Sequence, residues 1–279
     1  LAYLVALLLL VLVLLFGGSE IADVRTWIKV GSFTLQPSFP AMILLTIAVG
    51  AILTRQRRSE GSSKAPLFGA PKTSLVEAPA ERPDLANYLL SGLMTFALAA
   101  LVFRQPDMAT ATVFVVVWLV MLFESDVPPR YLVLTAVAAL IAAYPLWKLM
   151  GLFGEGYMQK RVLNFISPAP DYQVNAALIA IGSGGGWGKE LGQGTQSQLR
   201  FLPARHTDFI FSVTAEELGF VGVMLLFFLY AVLFLRLLRI ILIASDTFGR
   251  LLATGVLAMI LYQFVINVGM NLGLLPVAG

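Results

Sequence analysis

The stretch from Gly182 to Asp208, GSGGGWGKELGQGTQSQLRFLPARHTD, gathers Lys189, Arg200, Arg205, the only histidine, His206, three glutamines and a closing aspartate. Arginine grips phosphate as a bidentate fork and lysine as a point charge, so Lys189, Arg200 and Arg205 are candidate phosphate clamps. Gln196 is a candidate polar contact to substrate. His206 stands alone and fits a hydrogen-bonded structural role better than a base or ligand, and it is carried as a candidate substrate contact. Asp208 can accept a proton from a hydroxyl.

The glycines first suggest a phosphate cradle, but the spacing fails. Ser183 stands where a Walker A loop needs its first glycine, and Glu190 follows Lys189 where Ser or Thr is required. Trp187 or Lys189 occupies the last position of a GxGxxG pattern. What remains is backbone freedom for a tight turn or a close approach.

The elements that must position these residues are apolar. The chain is 58% hydrophobic and 13% charged, against roughly 25% charged in soluble domains, so it reads as an integral membrane protein. The absence of cysteine excludes disulfides and thiolate chemistry, and a single histidine excludes a His-rich metal site. A net charge of +3 with no basic stripe gives no support for nucleic-acid binding. Leu1 opens inside an apolar run with no basic region before it, so the sequence is expected to be a piece of a longer chain.

Seven apolar runs approach the roughly 20 residues that a bilayer span needs. They are Leu1 to Phe16, Phe39 to Leu53, Leu85 to Phe103, Met108 to Phe123, Tyr131 to Met150, Leu218 to Leu235 and Leu251 to Leu275. The expected organisation is an all-α, polytopic transmembrane bundle. Residues 1–54 carry two spans with an outer loop at 17–38, and 55–84 form a flexible cytoplasmic linker. Three spans follow in 85–150, then a large outer loop at 151–208, then two spans in 209–279.

Sidedness comes from charge. Arg55, Arg57, Arg58, Lys64, Lys72 and Arg82 crowd the linker, and Arg130, Arg236, Arg239 and Arg250 fall on the same side. The positive-inside rule makes that side cytoplasmic and puts 151–208 outside.

Counting outward from Arg236 puts Glu216 and Glu217 near the outer interface, with Asp208 on the order of 12 Å further along a continuous helix. Asp208, with Thr207, can serve there as a helix cap or as a base, and the residues alone leave both open. Glu217, a charge at costly depth, is a candidate substrate contact. Asp107 is expected to cap the fourth run. Gln263, Asn267 and Asn271 recur at i, i+4 and i+8, which makes one polar stripe: either interhelical glue or a cleft wall.

The motifs IAIGSGG, GTQSQLRFLPARHTDFIF and AEELGFVG resemble the SEDS family of shape, elongation, division and sporulation proteins, and the GTQSQ form resembles its RodA branch. RTWIKVGSFTLQPS, RQPDMATA, QKRVLNFISP, TFGR and NVGMNLGLLPVAG extend the match along nearly the whole chain. The resemblance implies ten spans with cytoplasmic ends, so these seven would be spans three to nine. It implies a peptidoglycan glycosyltransferase that polymerises lipid II on the outer face of the bacterial cytoplasmic membrane, working with a class B penicillin-binding protein. It also implies that Asp208 is the essential base, with Mg or Mn as a possible cation. The chain departs from the family pattern at Phe39 and Met42, where relatives carry an acid and a lysine. That keeps a non-catalytic scaffold for the penicillin-binding protein in play; the other alternative is a flippase or transporter of lipid-linked precursors, against which the near absence of charge within the spans counts.

Overall fold

The computed structural model describes residues 1–16, 27–30, 33–55, 85–105, 107–125, 127–152, 163, 165, 172–198 and 207–277. The proposed linker beyond residue 55 therefore lies outside the described residues. The helices are α1 (Ala2–Phe16), α2 (Ser38–Leu53), α3 (Leu85–Phe103), α4 (Met108–Glu124), α5 (Pro129–Leu152), α6 (Tyr172–Gly184), α7 (Thr195–Gln198), α8 (Ile210–Ile243) and α9 (Thr247–Asn271). Between α1 and α2 a small antiparallel hairpin pairs β1 (Ile28–Val30) with β2 (Phe33–Leu35) in the register Ile28 with Leu35.

All seven apolar runs are helical. Those at α3, α8 and α9 are long and apolar enough to cross a membrane, and α1, α2, α4 and α5 contain shorter apolar stretches. Two features differ from the sequence reading. The segment 151–208 contains a helix, α6, which packs on α8. The sixth run also extends well beyond Leu218 to Leu235, because two glutamates and a glycine interrupt its hydropathy at one end.

The helices α1 to α4 and one side of α9 enclose the main core around Leu45, Leu98, Phe114, Trp118, Met121 and Leu251. Trp118 donates its indole N–H to Ser91 Oγ at 3.1 Å, so its polar atom is satisfied inside that core. Asp107 caps α4 by accepting from the Thr110 amide at 2.9 Å, as the sequence predicts. Arg250 and Glu124 pair at 3.2 Å and tie the start of α9 to the end of α4. The other side of α9 packs on α8, so α9 joins the two halves.

The local arrangement that positions the site is a break in α8. Gly219 has φ 66° and ψ −167°, a region essentially reserved for glycine. The turn after α6 fills the gap that the break opens. Phe220 N–H donates to Gly185 O at 2.9 Å, Val221 N–H to Gly186 O at 3.1 Å, and Lys189 N–H to Glu216 O at 3.1 Å. The backbones are so close that a Cβ on Gly184 would overlap the Ala215 carbonyl, and one on Gly219 would overlap the Gly188 amide.

Gly219→Ala is expected to add strain on the order of 1–3 kcal/mol and to displace the turn, lowering the thermal unfolding temperature. Gly182→Ala, where an added Cβ meets nothing within 4 Å, should leave that temperature unchanged. Thermal unfolding of the purified variants followed by tryptophan fluorescence checks both.

Candidate functional site

Asp208 sits two residues before α8 and lines a cavity of about 780 Å³. The cavity lies among α2, α4, α8 and α9, with Trp27 and Gln36 reaching in from the hairpin region. Its walls are mostly apolar and aromatic, including Phe39, Phe211 and Phe264, while Asp208, Asp107, Gln36, Gln263 and Asn267 supply polar groups. A largely apolar cleft with a few convergent polar side chains is what binding of a lipid-linked molecule requires.

The sequence leaves Asp208 open between cap and base, and the N-cap position falls on its neighbour. The N-cap of α8 is Phe209, which has no side chain able to bond the exposed amides. Asn271 does that work from α9. Its Oδ1 accepts from the Ser212 amide at 3.1 Å and from the Ser212 hydroxyl. Its Nδ2 donates to Asp208 O at 2.8 Å and to Asn267 O at 2.8 Å. Asn271 is fully buried, and these four bonds satisfy both donors and both acceptor sites of its amide. Asn267 Nδ2 adds a longer bond to Asp208 O at 3.4 Å.

The polar stripe of α9 thus divides by depth. Asn271 is glue of the interhelical kind, while Gln263 and Asn267 face the cavity. Gln263 Nε2 lies 3.6 Å from the sulfur of Met42, one of the two positions that depart from the family pattern. Met42 is buried in the main core and Phe39 lines the cavity, so both departures have apolar surroundings that accommodate them.

The other sequence candidates separate. Lys189 pairs with Glu216 at 3.1 Å and also donates to Thr195 Oγ1 at 2.9 Å. Gln196 reaches the same carboxylate, through its backbone amide, at 3.0 Å. Glu217 is half-buried and is not part of the cavity lining. Arg205 and His206 lie outside the described residues.

Two cavity groups were not singled out by the sequence reading as site residues. Asp107 caps α4 and also faces the cavity, accepting from Gln36 Nε2 at 3.1 Å. Burial pushes its carboxyl above the ordinary aspartate value, and the bonds from Thr110 and Gln36 oppose that rise. Both residues lie in stretches that the sequence already flags, RQPD and LQPS, but spacing alone could not bring them together across 71 positions.

Comparison with known proteins agrees with the motif reading along the full length. The family model for FtsW, RodA and SpoVE, described as "Cell cycle protein", matches residues 1–279. The peptidoglycan glycosyltransferase MrdB of Escherichia coli strain K12 is 36% identical over 283 residues, covering 99% of this chain and 69% of that protein. A chain from a solved peptidoglycan synthase complex, described as coordinating polymerization and crosslinking, superposes with a TM-score of 0.71 at 30% identity, covering 100% of this chain and 71% of its own. The crystal structure of the rod shape determining protein RodA of Thermus thermophilus superposes with a TM-score of 0.59 at 28% identity, covering 99% of this chain and 67% of its own.

Asn271→Leu removes an acceptor from the buried Ser212 amide and a donor from the Asp208 carbonyl. It is expected to destabilise the fold by about 2 kcal/mol, more than Asn267→Leu, which loses only the longer bond to that carbonyl. Denaturant titration of the two variants in detergent checks the order.

Proposed function

The chain belongs to the FtsW, RodA and SpoVE family of cell cycle proteins, and on that premise we propose that it uses Asp208 to polymerise lipid II. The chain is an integral membrane peptidoglycan glycosyltransferase of the elongation type. The observation that carries the assignment of the base is the position of Asp208: a carboxylate at a cavity wall, its backbone held by a buried amide from another helix.

In the proposed reaction the 4-hydroxyl of the acceptor sugar attacks the anomeric carbon of the donor, and its proton passes to the Asp208 carboxylate. The new bond is carbon to oxygen. The bond that breaks joins the anomeric carbon to the diphosphate oxygen, and undecaprenyl diphosphate leaves with the electron pair. Attack from the face opposite the leaving group inverts the configuration. Because a diphosphate is already a good leaving group, no second carboxylate is needed as a strong acid.

Holding the Asp208 carbonyl and the first turn of α8 limits where its carboxylate can go, and such orientation is a large part of what an enzyme contributes. Arg205 is proposed as a cation for the departing diphosphate, with His206 as a polar contact to substrate. Among the described residues no three His, Asp or Glu side chains converge to hold a metal. A Mg or Mn ion is therefore proposed to depend on the diphosphate itself for most of its ligands, and no step above runs through it.

The proposed site faces the outside of the cell. Asp208 and the pair Arg236 and Arg239 lie toward opposite ends of α8, and basic residues mark the cytoplasmic side. The proposed partner is a class B penicillin-binding protein that crosslinks the emerging strand.

The test is polymerisation of lipid II by the purified protein with its penicillin-binding partner. Asp208→Asn should lower turnover by at least about 100-fold, the lower end of what a positioned base contributes. Undiminished polymer from that variant would remove Asp208 from the role of base.

A further inference from the structure

We infer that Glu216 is a positioning residue for this reaction: its carboxylate ties the outer segment from Lys189 to Gln196 to the helix that presents Asp208. The inference rests on the reading of Asp208 as the base, but its own contacts stand apart from the cavity.

Glu216 is fully buried and does not line the cavity. Its Oε1 receives Lys189 Nζ at 3.1 Å, the Gln196 amide at 3.0 Å, Thr195 Oγ1 at 3.2 Å and Ser183 Oγ at 3.4 Å. These donors come from three places in sequence: the end of α6, the turn after it, and the start of α7. A carboxylate without solvent persists only when its charge is matched and its oxygens are occupied. Lys189 supplies the matching charge, and the other donors supply the occupancy.

The carboxylate is well placed to carry position to Asp208. Glu216 lies eight residues after Asp208, on the order of 12 Å along the axis, and the helical break comes only at Gly219. From Ile210 to Glu216 the stretch is therefore unbroken helix. Asn271 holds one end of it, and Glu216 with the glycine turn holds the other. Loss of the carboxylate charge would leave Lys189 without its counter-charge and free the 189–196 segment from α8. On this account Lys189 serves Glu216 and not the diphosphate.

The test uses the full-length protein with its penicillin-binding partner, reading lipid II polymerisation and, separately, tryptic cleavage after Lys189 by mass spectrometry. Glu216→Gln should lower kcat about ten-fold or more with KM nearly unchanged, since what is lost is orientation and not substrate contact. Cleavage after Lys189 should accelerate by a similar factor. Lys189→Met should also lower kcat at unchanged KM, and the Glu216→Gln, Lys189→Met pair should recover a large part of the loss because no unmatched charge remains. Native kcat and native cleavage in Glu216→Gln would overturn the inference. So would a raised KM for lipid II in Lys189→Met with no recovery in the pair, which would make the lysine a substrate ligand.

If Glu216→Gln fails to accumulate, Thr195→Val and Thr195→Ser decide. The inference expects a loss of kcat and faster cleavage for valine, with serine restoring both. Equal behaviour of the two would overturn it. The cleavage readout needs no polymer, so a failure of the Asp208 assignment would leave it standing and recognisable.

Discussion

A membrane helix that breaks leaves amides and carbonyls that lipid cannot satisfy, and α8 breaks at Gly219. The turn at Gly184 to Gly188 supplies what the break needs. Its carbonyls accept from Phe220 and Val221, and Lys189 returns an amide to Glu216. Within the turn Gly188 N–H donates to Gly184 O, and its other two carbonyl bonds go to the gap in the helix. Together they fix the end of α6, the glycine turn and the head of α8 as one unit.

Above that unit the control of Asp208 passes to α9. Phe209 cannot cap α8, so Asn271 caps it from the neighbouring helix and grips the Asp208 carbonyl with the same amide. Because α9 also packs on α2 and α4, the cavity wall that carries Gln36 and Asp107 is held against the wall that carries Asp208. Among the described residues, the acids withdrawn from solvent find partners locally. Glu216 is matched by Lys189, and Asp107 by bonds from Thr110 and Gln36.

The parts of the fold set by local pattern were legible in the sequence. Apolar length located the described helices α1 to α5, α8 and α9, and for Leu85–Phe103 the bounds agree to the residue. Asp107 was legible as a cap because capping is local. The glycines were legible only as freedom of the backbone. Their partner, the break at Gly219, lies more than thirty positions away, and no periodicity links the two. A separation of 27 positions likewise hid the pairing of Lys189 with Glu216, so a lysine beside glycines suggested phosphate. Asp208 was open between cap and base from its residues, and the capping by Asn271 became visible only once α9 was packed against α8. The proposed ligands Arg205 and His206 lie outside the described residues, so their part in the site rests on the sequence alone.

The central claim is that the glycine turn and the break in α8 form one hydrogen-bonded unit. Hydrogen exchange of the Lys189, Phe220 and Val221 amides, in protein reconstituted into a bilayer, tests it most directly. The account predicts that all three exchange slowly and lose protection together in Gly219→Ala. Exchange of Lys189 at the rate of an open loop, while Phe220 and Val221 stay protected, would contradict it.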